Sequence, residues 1–578
     1  MADDQARDER EAILTDPGAG ASVRSRPAVV VLAGLALLVV YVGLSFLNDT
    51  NGTLSTDVGG KIATLEVMHE RGTATPAVGY WAAAWDPDAS VHGLYYTSVV
   101  DGNFVNVTTV PVIELARPLF AVAGYRGALL WSMLGAVAAA FAARALALRA
   151  GGDERRGWLA FGLIGLASPA LLYALDLWEH APGLGLMAWG VVAMVDTAAG
   201  RSRWTALASG LAFGAAFSLR TEAAAYGFAV VGVGCLLLWH RRGFVRAVVA
   251  GALAAVGFVA LVAANYLLEV ALIGASLRTG RASGTASSGG SELGIRLQEA
   301  FTTTVGLFPS TSTGSLVIGG LAVALLGWAV WRSSRPGDHR IARIAAIGAV
   351  ALFLVRAFDG LGFVPGFLVT APFGVVALVL VTDRRVARAG RDAVVMVVLA
   401  LPLVWLFQFS GGAVPQWGGR YVLTSGLVLA AVGIGLSGLL DRWVRAALIG
   451  LSVGVAVFGL AWMSYRTHEI ARAAHDVAAV DGPVVSSADF WMRELGAVYR
   501  ADTPWLSVAG TANIPKATAV LDRAGEDSFT LLWIPADGDQ APPDVPGWTP
   551  TDASEVHSWL GVEFRLTGYQ RQASNVRS

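Results

Sequence analysis

The sequence predicts an all-α polytopic membrane protein, with about thirteen transmembrane helices and a small α/β domain at its C-terminal end. Three observations carry that prediction. Hydrophobic residues make up 55% of the chain and charged residues only 15%, against roughly a quarter charged in a soluble domain, so the polar surface needed to coat a globule of this size is missing. The mean hydropathy of +0.57 is also unevenly distributed. Nearly charge-free runs of about 16–25 residues recur from Pro27 to Met463, each long enough to cross a hydrocarbon core. Finally, arginines cluster in every second connection between those runs.

Residues 1–26 form a mostly polar tail before the first run, Pro27–Leu47. No small-x-small cleavage pattern follows before Asn48, so that run reads as an uncleaved first span. A large loop, 48–120, comes next. Within it Lys61–Gly72 places Ile62, Leu65 and Met68 on one helical face, with Lys61, Glu66 and Glu70 elsewhere, and Gly72 at the stop position. Leu94–Val100 and Phe104–Val110 are β-type runs joined by Asp101-Gly102-Asn103, a hairpin signal. The spans continue to residue 463, and the pair Ile344–Val355 and Gly360–Thr382 is the weakest, the former being short and bounded by Arg. Ala275–Ser315 is rich in Gly, Ser and Thr and reads as a loop. From Ser464 to Ser578 short apolar runs (Pro483–Ser486, Trp505–Val508, Phe529–Pro535) alternate with helical stretches (Trp491–Tyr499, Lys516–Ala524), the pattern of a small α/β domain.

The arginine-rich connections are 144–156, 201–203, 241–246, 332–343, 384–391 and 442–445, while those between hold Arg220, Arg356 or Arg420 alone, or none. The positive-inside rule then places the N-terminal tail in the cytoplasm and, after thirteen spans, residues 464–578 outside a plasma membrane that the chain crosses many times. A net charge of −1 gives no electrostatic footprint for nucleic acid. The single Cys235 excludes an intramolecular disulfide and a cysteine metal cluster. No internal or inverted repeat argues for a transporter.

Ionisable groups beside a bilayer need a reason, because a charge at mid-membrane costs about 2.5–3.5 kcal/mol on insertion scales. On this map Asp57, Asp176, Glu179, His180, Arg220, Glu222, Arg356, Asp359 and Arg420 all fall at the outer ends of spans. Carboxylates there can take a proton from a hydroxyl, and guanidinium groups can hold a phosphate with two parallel bonds, which suits a reaction on an anionic lipid. Other readings apply to each. Asp57 can cap the Lys61 helix, Asp86-Pro87-Asp88 can be a metal-binding pair or a turn, Glu179 and His180 can be loop polar residues, and Arg220 and Arg420 can snorkel to headgroups. Asp176, Glu179 and His180 lie awkwardly close together in sequence for a metal site.

Four motifs carry a resemblance. Thr56-Asp57-Val58-Gly59-Gly60-Lys61 follows the first span, and Ser168-Pro169 leads through Asp176 to Glu179-His180 after the third. Gly210–Leu219 ends in Arg220-Thr221-Glu222, and Pro415-Gln416-Trp417-Gly418-Gly419-Arg420-Tyr421 opens a late span. Together they resemble the GT-C glycosyltransferases, the membrane enzymes that include bacterial protein O-mannosyltransferases and aminoarabinose transferases. Thr221 stands where the family's run has Pro. The resemblance implies transfer of a sugar from a polyprenyl-phosphate donor to a glycan, lipid or protein acceptor of the cell envelope, with inversion at the sugar. It implies Asp57 as general base, Arg420 and Arg220 on the donor phosphate, and Glu179, His180 and Tyr421 positioning substrate. It fixes no cofactor and leaves a divalent cation open. The alternatives are a lipid or polysaccharide transporter, which would place charges or broken helices near mid-span, and an O-antigen polymerase or ligase, whose long loop usually comes later. A scaffold that uses the outer domain for protein contacts is a third.

Overall fold

A computed structural model describes residues 27–106, 109–277, 292–305, 307–308, 313–357, 364–407, 417–535, 541–551 and 554–572. The chain is mostly helical, with a small sheet domain near its C-terminal end. Among the described residues eight helices are long and apolar enough to cross a membrane: Pro27–Ser45, Leu130–Arg149, His180–Ala198, Glu222–Arg242, Phe244–Ile273, Arg388–Phe407, Trp417–Leu439 and Arg442–Ala478. Trp204–Leu219 and Val317–Ser333 are shorter apolar helices. The third predicted span is broken into Glu154–Leu166 and Pro169–Ala174, because Ser168 ends one helix and caps the next through a bond from the Ala170 amide to its hydroxyl. The weak ninth and tenth positions carry Arg340–Ala357 and the short pieces Phe367–Thr370 and Phe373–Leu380.

Small residues let these helices approach closely. A side chain at Gly210 would strike the Ala254 backbone, and one at Gly135 would strike Pro182. Without a hydrophobic drive between helices in lipid, such close backbone packing supplies much of their association. The outward surfaces stay apolar: Phe228 is 78% and Val245 74% exposed, as lipid-facing positions should be.

Part of the segment 275–315 departs from the loop expectation. Glu292–Val305 is a helix, with Leu293, Leu297 and Phe301 exposed along one stripe. Residues 278–291 and 309–312 lie outside the described residues, as do Asp359, Pro415, Gln416 and the Arg356 side chain.

The first large loop and the C-terminal segment fold as one body. Helix Thr56–Arg71 ends at Gly72, in left-handed backbone (φ 62°) that leaves its amide free to bond the His69 carbonyl. Strands β1 (Thr97–Val100) and β2 (Asn103–Asn106) pair antiparallel across Asp101-Gly102, both at positive φ as a tight hairpin turn requires. A two-stranded pair, β3 (Leu307–Phe308) with β4 (Val364–Pro365), lies between the membrane helices. The C-terminal sheet contains β5 (Val484–Ser486), β6 (Trp505–Ser507), β7 (Ser528–Trp533), β8 (Trp548–Pro550), β9 (Glu555–Trp559) and β10 (Val562–Arg571), in the order β6-β5-β7-β10-β8 with β9 also on β10. Pairs β5–β6 and β5–β7 are parallel, and β10 runs antiparallel to its neighbours.

Both faces of the sheet are covered partly by the early loop. One core joins Ala63, Val67, Val78 and Leu94 to Ile470, Val484, Trp491 and Phe564, and the other joins Tyr80 and Val91 to Val485, Leu506, Leu521 and Leu531. The Trp81 indole donates to the Trp505 carbonyl (3.3 Å), and Tyr499 donates to the Gly79 carbonyl (3.2 Å). Helix Arg442–Ala478 runs unbroken for 37 residues into this body, passing residues 463–464 without interruption.

Candidate functional site

Asp57 lies in the first turn of helix Thr56–Arg71, and Ser55 occupies the capping position. The carboxylate therefore does not cap the helix. Its Oδ2 accepts from Arg420 Nη2 (2.9 Å) and its Oδ1 from Arg493 Nη1 (3.0 Å). Arg493 comes from the short helix Asp489–Glu494 of the C-terminal segment and is 1% exposed; its Nε donates to Asn106 Oδ1 (2.9 Å). The Gly59-Gly60 pair makes this contact sterically feasible. A side chain at Gly59 would strike the Arg493 carbonyl, and one at Gly60 would strike Asn106 and come within 2.8 Å of Arg493 Nε. Burial opposes ionisation of Asp57, but the guanidiniums of Arg493 and Arg420, with Lys61 and Arg220 behind them, outweigh it and hold the carboxyl well below the usual carboxylate range.

One turn on, Lys61 departs from expectation. It does not face water with Glu66 and Glu70; it is 2% exposed, with its Nζ 2.7 Å from Glu179 Oε2. A buried ammonium persists only when paired, and Glu179 supplies the partner. Glu179 Oε1 also meets Arg220 Nη1 at 3.2 Å, and Arg220 Nε meets Glu222 Oε1 at 2.9 Å. Three helix ends place these groups. Glu179 precedes His180–Ala198, Arg220 follows Trp204–Leu219, and Glu222 opens Glu222–Arg242. Gly183 leaves the room that Arg220 fills, since a side chain there would lie 2.9 Å from its Cγ.

Arg420 arrives on strained backbone. Gly418 and Gly419 have φ of 73° and 75°, and Arg420 itself has φ 40° and ψ −71°, a conformation rare outside glycine. Its guanidinium carbon lies 5.1 Å from the ring centroids of both Trp178 and Tyr421, and that of Arg220 is also 5.1 Å from Tyr421. Tyr421 is thus a shared aromatic floor under the two arginines. His180 stacks on Tyr173 (4.7 Å between centroids, 9° between planes) and meets Trp178 edge-on.

All six predicted site residues, Asp57, Glu179, His180, Arg220, Arg420 and Tyr421, therefore gather around one centre, with Lys61, Glu222 and Arg493 added. Four cations bond three carboxylates here, so cations outnumber their direct carboxylate partners by one. Several buried polar atoms at this centre have no hydrogen-bond partner among the described residues: both ring nitrogens of His180, Arg220 Nη2, Glu222 Oε2 and the indole nitrogens of Trp178 and Trp417. Buried polar groups are normally satisfied, so such a concentration marks a place built for a polar occupant.

The other acidic candidates separate. Asp86 accepts from Tyr80 Oη (2.8 Å), Ser90 Oγ (2.7 Å) and the Val91 amide (3.1 Å), which is the turn reading. Asp176 accepts from Tyr125 Oη (2.8 Å). No group of three His, Cys, Asp or Glu able to hold a metal ion occurs among the described residues. Arg493 escaped the sequence reading, because an arginine in a water-soluble type of segment carries no local signal.

No family model matches the chain, and no curated protein matches it. Among solved structures the chain is similar to ArnT from Cupriavidus metallidurans bound to undecaprenyl phosphate, with 15% identity, TM-score 0.38, and 95% of this chain and 99% of that one covered. It is similar to ArnT from the same organism in the apo state, with 16% identity, TM-score 0.37, and coverage of 94% and 98%. It is also similar to the Archaeoglobus fulgidus oligosaccharyltransferase in the apo form, with 12% identity, TM-score 0.39, and coverage of 86% and 69%.

Proposed function

We propose that this protein is a membrane glycosyltransferase that moves a sugar from a polyprenyl-phosphate donor to a glycan, lipid or protein acceptor of the cell envelope. One observation carries the reading. Asp57 meets Arg420 at a span end and Arg493 from a position 436 residues away in the chain, beside buried polar atoms that have no partner among the described residues. The arginine map puts this centre on the outer face, with the N-terminal tail cytoplasmic. Residues 27–463 then form the membrane domain and 464–578 the outer domain.

In this mechanism the acceptor oxygen attacks the anomeric carbon as the bond from that carbon to the phosphate oxygen breaks, in a single inverting displacement. The hydroxyl proton passes to Asp57, and Arg420 and Arg220 hold the charge that develops on the departing polyprenyl phosphate. Glu179, through its bonds to Lys61 and Arg220, fixes the position of Arg220. His180 and Tyr421 shape the donor side. Asp57 is a poor base while both arginines hold it, since a base works best with its pKa near the working pH. Donor phosphate competes for Arg420, and a carboxylate relieved of one cation is a stronger base. The order of binding is therefore donor first, acceptor second.

The test uses purified protein in proteoliposomes supplied with radiolabelled polyprenyl-phosphate sugars and an envelope extract. The expected result is label in a new covalent product, and a fall of about 10²–10⁴-fold in turnover for Asp57→Asn. Label that crosses the bilayer with its phosphate linkage intact would make the protein a transporter. Near-normal turnover in Asp57→Asn would remove Asp57 as the base.

A further inference from the structure

A cleft of about 400 Å³ opens between the early loop and the C-terminal sheet, lined among others by Tyr95, Tyr96, Asp489, Ser507, Asn513 and Lys516. That volume falls in the range typical of small-ligand sites. None of these residues takes part in the centre around Asp57 described above.

Three features set the cleft apart from an ordinary seam. Ser507 is 5% exposed, and its hydroxyl has no hydrogen-bond partner among the described residues. Tyr96 holds left-handed backbone (φ 65°), a conformation that costs an aromatic residue energy, and yet its side chain stays 49% exposed. Its ring centroid lies 3.9 Å from that of Tyr95, so two aromatic rings are presented together at one wall.

The lining chemistry selects an occupant. Aromatic faces pack against the C–H faces of a pyranose or furanose ring, while hydroxyl, amide and carboxylate groups bond its hydroxyls. Asp489 and Lys516 cancel in charge, so the cleft has no surplus for a phosphate, unlike the centre at Asp57. An acidic or basic ligand gains nothing over a neutral polyol.

The cleft is also mechanically joined to the reaction centre. Asp489 and Arg493 belong to the same short helix, Asp489–Glu494. Arg493 bonds Asp57, and its guanidinium carbon lies 5.7 Å from the Tyr96 ring centroid. An occupant stacked on Tyr96 therefore sits one side chain away from the proposed base.

We propose that this cleft is the acceptor subsite and that it binds a neutral oligosaccharide, whose growing end reaches Asp57. The role as acceptor subsite rests on the glycosyltransferase reading; the binding of saccharide does not. Saturation-transfer NMR on the full-length protein in nanodiscs, without donor, tests the binding with mannotriose, maltotriose and arabinotriose as probes. At least one should show transfer to its ring C–H protons. Tyr96→Ala and Asn513→Ala should each weaken that binding by about tenfold, and Tyr96→Phe, which keeps the ring, should retain it. Absence of transfer to all three probes would overturn the proposal, as would binding indifferent to both alanine substitutions, or a stronger response from a Ser- and Thr-containing tetrapeptide. Saccharide binding without any consumption of polyprenyl-phosphate sugar would instead sink the glycosyltransferase reading and leave the cleft a glycan site.

Discussion

Helices His180–Ala198 and Glu222–Arg242 carry ion pairs at both ends, about 30 Å apart at 1.5 Å per residue, and the two ends are built differently. At the arginine-rich end three pairs are closed forks. Arg149 grips Asp196 through Nε and Nη2 at 2.9 and 2.7 Å, Arg241 grips Asp392 at 2.6 and 2.7 Å, and Arg343 grips Asp441 at 3.0 and 2.9 Å. None of these six residues has a buried polar atom without a partner. At the opposite end the charges touch in single bonds, carry a surplus cation, leave several buried atoms unpaired and sit partly on strained backbone. Two-point forks between planar groups are a good way to fasten helices. An unsatisfied array that the fold tolerates is poorly suited to fastening and well suited to gripping a ligand.

That contrast is tested most strongly at the fastened end. Asp392→Ala leaves the Arg241 guanidinium without its partner, and removing one member of a buried pair typically costs 3–5 kcal/mol. Arg241 keeps a fifth of its surface exposed, so the loss should fall near the lower bound, about 3 kcal/mol. Thermal unfolding in detergent should show it, while turnover per folded molecule stays close to that of the parent. A large loss of turnover with unchanged stability would mean that the two ends do not divide the work as described.

Acid should loosen the body formed by the early loop and the C-terminal sheet before the fastened end. Burial pushes the His92 imidazole down to about 4, and its two bonds fix the neutral tautomer: Nε2–H donates to the Gly79 carbonyl (2.8 Å) and Nδ1 accepts from the Leu94 amide (2.9 Å). The unfolded chain takes up a proton below about pH 6.5 and the folded one does not until about pH 4, so stability is complete above pH 6.5 and falls between those values. The loss approaches 3 kcal/mol by order of magnitude. Proteolysis within residues 73–106 as a function of pH checks it, and His92→Gln should flatten the dependence. An acid slope that survives in His92→Gln would move the cause elsewhere.

What the sequence made legible follows from contrast. Asp57, Glu179, Arg220 and Arg420 stand out because each is a charge at the edge of an apolar run, where it has a cost to explain. The hairpin was legible because Asp101-Gly102 is turn chemistry between runs of β-branched and aromatic residues, and strands β5, β6 and β7 because they are short apolar runs in a polar segment. Arg493 had no such contrast in a chain that holds only two lysines and is otherwise rich in arginine. Lys61 misled by position: helical periodicity placed it with Glu66 and Glu70, but the membrane domain brought Glu179 to meet it. Helix Glu292–Val305 was hidden by the Gly, Ser and Thr around it, although Leu293, Leu297 and Phe301 keep a four-residue spacing. Strands β9 and β10 went unread although β10 alternates, because the expected apolar runs ended at Pro535; pairing with β7 and β8 gives β10 its place in the sheet, and β9 joins through β10. The union of the early loop with the C-terminal sheet depends on contacts between residues some four hundred positions apart, which local patterns do not encode.

The finest distinction within the open end concerns how Arg420 holds an anion. Its guanidinium is planar, lies near the rings of Trp178 and Tyr421, and already spends one N–H on Asp57. A planar fork can trade that bond for two parallel N–H bonds to a phosphate, whereas an ammonium cannot reproduce the fork or the stacking. Arg420→Lys preserves the charge, so the helix ends should stay together and the melting temperature should hardly move. The donor should bind more weakly, by about tenfold, the worth of one charge-assisted hydrogen bond of roughly 1.5 kcal/mol. Steady-state kinetics with varied polyprenyl-phosphate sugar separates the outcomes. A raised KM with kcat little changed means that Arg420 grips the donor in the ground state and the transition state alike. A lowered kcat at constant KM means that its grip tightens only as the phosphate departs, which assigns it to leaving-group stabilisation alone. If neither constant moves, Arg420 belongs with Arg149, Arg241 and Arg343 as a fastening, and the asymmetry between the two ends of the helices loses its functional meaning.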